Sequence, residues 1–225
     1  MVPRRRKRSG ARVTSHPSYL LFGLAGAAST RAVTEPREAL TAIILSAIAV
    51  EAFFNDVVEI LGSNIATGKA AGLEDIISVC DVLEENRVAL FVRLHVAHQL
   101  LTHTPLPDGQ SPLEDFRLLM TLRNKLVHKK PETSMILPTT PDMENADLVR
   151  SLVKRGVIEE LPQYNFPMLS SYLAAPGVGA WAYDTAKGVA HFLIAMIPPG
   201  DAREAVVSLF WHPLDGTLPL GQPPT

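Results

Sequence analysis

The chain has 225 residues, 47% of them apolar and 20% charged, a composition that excludes a disordered polypeptide and fits one well-packed domain. Its single cysteine, Cys80, excludes an intramolecular disulfide and a thiolate metal cluster and points to a cytoplasmic home. Arg4, Arg5, Arg6, Lys7 and Arg8 supply five of the 21 basic side chains, which leaves 16 against 23 acidic ones, so the body alone repels a polyanion at long range.

Residues 4–8 followed by the apolar residues 19–28 have the outline of a secretory signal, but the gap between them and the interrupting Ser15-His16-Pro17 argue against one. Residues 1–30 are therefore read as a basic, flexible arm able to touch nucleic-acid phosphates. Thr34-Glu35-Pro36 is a helix start, with a capping residue and proline in the first turn. The helix it opens should run to Leu61 and end at Gly62, with a loop over residues 62–72. A second helical region spans residues 73–101, with a break near Asn86, and a turn-rich linker covers residues 102–110.

Ser111-Pro112-Leu113-Glu114 has the form of a capping box with proline at the first helical position. The helix that follows carries RNKLVH, Arg123 to His128, and stops before Pro131. A proline-interrupted connection over residues 131–145 leads to a short helix over residues 146–157. The last long helix is expected over residues 178–197, a shorter one over 201–211, where Asp201 and Glu204 form a second box, and a flexible tail over 213–225. The most apolar stretches, residues 40–50 and 188–197, are shorter than the roughly 18 residues a membrane span needs, so no membrane partner is expected. The fold class is all-α: an up-and-down bundle of about four to five main helices with extra short ones, the helical domain covering residues 31–212.

At about 100° per residue, Leu118, Leu119, Leu122 and Leu126 form the core stripe of the RNKLVH helix. Phe116, Met120 and Val127 are expected to share the non-core side with Arg123. Asn124 and His128 stand four apart, a spacing that lets the amide bond the imidazole and fix its tautomer. Lys125, Lys129 and Lys130 make this helix basic within an acidic body. In the first long helix, Ile43, Ala47, Val50, Phe54, Val57 and Leu61 form one apolar row, while Glu51 and Asn55 interrupt the row beside it. A carboxylate there needs a partner, and Arg123 or Lys125 is the first expectation.

An RNxxxH hexapeptide (Arg123, Asn124 and His128) late in a helical bundle, preceded by a helix of the form SAIAVEAFFN at residues 46–55, resembles the HEPN superfamily. The resemblance covers residues 34–130 and, more loosely, the helix from Val178. It implies a homodimer with the motif helices facing each other, RNA as substrate, no metal or other cofactor, and Glu51 with Asn55 as a supporting polar pair. It also implies a toxin or defence role alongside an antitoxin or regulatory protein. Many such toxins carry tyrosine two residues after the histidine; here Lys130 stands at that position. The chemistry agrees with the residues: metal-free RNA cleavage uses the 2′-hydroxyl as nucleophile, so it needs a base and a cation on the phosphorane. His128 is the candidate base, Arg123 the cation, and Asn124 supports them. A HEPN-like module that binds RNA or nucleotide without cutting it remains the other reading. His95, His98 and His103 have no acidic or cysteine ligand at metal-site spacing, and His191 reads as a core histidine.

Overall fold

A computed structural model of the chain describes residues 16–66, 72–107, 109–128, 143–159 and 169–215. Among the described residues it is all-helical, in the order α1 (Pro17–Arg31), α2 (Glu38–Ala66), α3 (Glu74–Glu85), α4 (Leu90–Thr102), α5 (Leu113–Val127), α6 (Met143–Lys154), α7 (Leu169–Leu173), α8 (Pro176–Met196) and α9 (Asp201–Asp215). The two longest, α2 and α8, pack on each other, and α1, α5 and α9 pack on both.

α2 is central because two of its faces are apolar. Ile43, Ala47, Val50, Phe54, Val57 and Leu61 are buried, as their spacing predicts, and Ala39, Ala42, Ala49, Phe53 and Ile60 are buried as well. By length and composition α2 could cross a membrane, contrary to the expectation that the apolar stretches are too short, but most of it is covered by the other helices. Its start is Glu38 rather than Thr34, because residues 32–37 turn the chain from α1 into α2 and Arg31 closes that turn on Glu38 at 2.7 Å. It continues through Gly62 to Ala66, the glycine lying against the end of α3, where an added Cβ would stand 3.7 Å from Ile77.

α1 corrects the reading of residues 1–30 as a flexible arm. From Pro17 onward the chain is helical and buries Ser18, Phe22, Ala25 and Ala28 against α2, α8 and α9. Those four positions have helical spacing, but the opposite face is also uncharged, so the amphipathic contrast that marks a surface helix is weak. The Ser18 backbone N–H and hydroxyl both donate to the buried Asp56 carboxylate of α2. Phe53 joins Phe22 of α1 to Phe210 of α9, with edge-on ring contacts at 6.0 and 4.8 Å. The basic run at residues 4–8 lies outside the described residues.

α3 and α4 realise the expected break: α3 ends at Asn86, and Arg87 turns the chain with a φ of 54°. α8 approaches its neighbours through glycines. A Cβ at Gly179 would stand 3.1 Å from Ala32, one at Gly188 3.0 Å from Pro112, and one at Gly177 would run into the Val157 carbonyl oxygen. Ala182, Ala186 and Ala190, all buried, share the face of Gly179, while Gly177 and Gly188 lie on the opposite one. α9 extends to Asp215, beyond the expected limit of the domain at 212, while residues 216–225 lie outside the described set.

Candidate functional site

α5 starts without the expected capping box: its N-cap is Pro112, with no side-chain cap hydrogen bond. Glu114 and Asp115 instead turn to Arg155, just beyond α6, which bonds Asp115 at 2.6 Å and Glu114 at 2.8 Å. The Asp115 hydrogen bond, with Glu114 behind it, raises the arginine's pKa further. The two carboxylates thereby fasten α6 to the first turn of α5.

The burial of α5 changes along its length. Leu113, Phe116, Leu118, Leu119 and Leu122 are buried, and after Leu122 the helix emerges. Leu126 is partly buried against the core, so the expected leucine stripe holds. The expectation that Phe116 shares an open surface with Arg123 does not: Phe116 is fully buried and Met120 packs against the core, whereas Val127 is exposed. Phe116 and Arg123 share an angle around the axis, but they sit at opposite ends of the helix, and only the N-terminal end is enclosed.

Arg123, Asn124 and His128 therefore lie on the emerging end. Arg123 Nη1 donates to Asn124 Oδ1 at 2.9 Å. That corrects the expected pairing of the Asn124 amide with the His128 ring; the link between those two residues is the backbone bond from His128 N–H to the Asn124 carbonyl, 2.9 Å. His128 is the C-cap, in a non-helical conformation with φ −105° and ψ 19°, and its side chain is exposed. Lys125 is half-buried. Lys129, Lys130 and residues 131–142 of the connection lie outside the described residues.

Glu51 and Asn55 belong to a different centre. Their partner is Arg93 of α4, in place of the expected Arg123 or Lys125. Arg93 is 4% exposed and donates from Nη1 to Asn55 Oδ1 at 2.9 Å. Glu51 and Glu84 stand 3.8 and 3.9 Å from its guanidinium, at ion-pair distance, and the Phe54 ring lies 5.3 Å below it. Arg93 Nε is buried without a hydrogen-bond partner. Sequence reasoning missed Arg93, although one arginine among Leu90, Leu94 and Ala97 on the apolar face of α4 was the available signal. Cys80 lies close to this centre, and burial pushes its thiol up to about 11 against the opposing pull of Arg93. It is therefore a neutral, buried thiol and a poor nucleophile at neutral pH.

Asn55 also lines a cavity of about 600 Å³ between α2 and α3, together with Asp56, Glu59, Glu74, Asp81 and Glu84. Five carboxylates make that cavity unsuited to phosphate. The histidines of α4 do not converge. His98 stacks on Phe192 at 5.8 Å and bonds the Thr104 carbonyl at 3.0 Å, while His95 and His103 are exposed. His191, read as a core histidine, is half-buried.

The fold defines an all-α bundle with a cationic, imidazole-bearing helix end. No family model, no curated protein and no solved structure matches the chain.

Proposed function

We propose that the protein is a metal-independent endoribonuclease of HEPN type, a toxin or defence effector whose active site is completed across a homodimer. The observation that carries this reading is the open end of α5, where Arg123 is hydrogen-bonded to Asn124 and His128 caps a helix otherwise anchored in the core. In this reading His128 takes the proton of the 2′-hydroxyl, which attacks the adjacent phosphorus, and Arg123 stabilises the charge that gathers on the phosphorane. Asn124, bonded to the guanidinium, holds Arg123 in place. The leaving 5′-oxygen needs a proton donor, and one protomer supplies one motif histidine; a two-fold axis brings a second.

Glu51 and Asn55 support the bundle through Arg93 rather than the chemistry. A non-catalytic RNA- or nucleotide-binding module is the other reading, favoured by the engagement of Arg123 with its own neighbour. One assay separates the two. Purified protein incubated with RNA in EDTA should cut it, and His128→Ala should lower the rate by at least about 100-fold. Intact RNA at high protein concentration, or equal cutting by the alanine variant, would leave the binding module standing.

A further inference from the structure

α1 carries an uncovered apolar face. Tyr19, Leu20 and Leu24 are 54%, 63% and 45% exposed, and Gly23 and Ala27 between them are exposed too. At about 100° per residue these five positions fall within an arc of roughly 140°, opposite Ser18, Phe22, Ala25 and Ala28, which seat the helix on the bundle. The face holds no charge for three turns and ends at Arg31.

The residues before it supply the complementary signal. The first 34 residues contain seven basic side chains, at positions 4–8, 12 and 31, and no acidic one, since Glu35 is the first carboxylate. From Glu35 onward 14 basic side chains face 23 acidic ones. Charge and exposed apolar surface are thus segregated together at one end of the chain.

We propose that this end is a docking surface for an anionic membrane: the basic run engages lipid headgroups while Leu20, Leu24 and Tyr19 enter the interface between headgroups and acyl chains. Either signal alone binds weakly; an apolar helix face together with a polybasic segment gives stable, reversible association. Tyr19 has the amphipathic ring that settles at headgroup level. The acidic body is repelled by the same surface, so the protein docks with α1 down. A second copy is a poorer occupant of this face, because pairing α1 with α1 brings two strongly basic segments together. RNA would use the cations but has no need of Leu20 and Leu24. The inference is independent of the ribonuclease reading and goes beyond it.

Sedimentation of the full chain with vesicles tests it. Phosphatidylcholine vesicles containing about 30% phosphatidylserine should carry the protein down at low salt, and phosphatidylcholine alone should not. Leu20→Ser/Leu24→Ser, at exposed positions and with its fold checked by thermal melting, should reduce the bound fraction at least about fivefold. Replacing the six basic residues at positions 4–8 and 12 by glutamine should do the same. The proposal is overturned if the wild type stays in the supernatant, or if the serine variant binds as well as wild type, which would leave only a basic arm on a polyanion. It is equally overturned if light scattering shows a dimer that the serine variant dissolves, or if that variant loses RNA binding while keeping vesicle binding.

Discussion

Arg93 is buried and organises a polar cluster between α2, α3 and α4, and it does so with imperfect pairing. One hydrogen bond to Asn55, two carboxylates near 4 Å and an aromatic face surround a guanidinium whose Nε has no acceptor. Removing the arginine strands Asn55 and leaves a void over Phe54, whereas neutralising Glu51, whose side chain is 43% exposed, removes only a long, partly screened attraction. Arg93→Ala should therefore destabilise the protein by roughly 2–4 kcal/mol in urea unfolding, and Glu51→Gln by less than about 1 kcal/mol. Equal effects would show that the charge of Glu51 matters as much as the hydrogen-bonding and packing role of Arg93. The sequence showed that Glu51 needed a cation but not which one, because α4 and α5 both carry arginines at helical positions and only packing selects between them.

At the scale of elements, α6 is tied to α5 by a charged fork. Arg155 reaches Asp115 and Glu114 over about 40 residues of sequence, and its guanidinium also bonds the Ser151 carbonyl. Charge-assisted forks of this kind are worth about twice a neutral hydrogen bond. Arg155→Ala should speed amide exchange throughout α6 while the slowest amides of α2 stay unchanged, at a global cost of roughly 1–2 kcal/mol. Unaltered exchange in α6 would mean that its apolar face alone, Ala146, Val149 and Leu152, secures it. The apparent capping box at Ser111–Glu114 shows why local motifs mislead: Glu114 has the right spacing, but a tertiary partner competes for the same carboxylate and wins. Positions of helices were legible from periodicity and breakers, whereas the ends of α2 were not, since they depend on what the turn at 32–37 and the glycine at 62 pack against.

For the molecule as a whole, the ribonuclease reading requires two copies. Light scattering at micromolar concentration should give about twice the 24.5 kDa chain mass; a monomer would remove the composite site and with it the source of the second proton. α1 bears on the same scale, because it completes the shell around α2 by placing Phe22 and Ala25 on α2, so residues 17–31 are part of the folding unit and not an appendage.

The sequence by itself determined the all-α class, the central position of α2, the break at Asn86 and the leucine stripe of α5. All of these follow from the period of apolar residues and from chain breakers, which act within a few residues. It also singled out Arg123, Asn124 and His128 by their spacing on one helix. Only the tertiary structure decided that Phe116 is buried while Arg123 emerges, that Arg123 rather than His128 holds Asn124, that Arg93 answers Glu51, and that α1 belongs to the core. Each of those depends on which helix stands across from a given face. That choice is made by summed packing and electrostatics between segments tens of residues apart, and no local pattern records it.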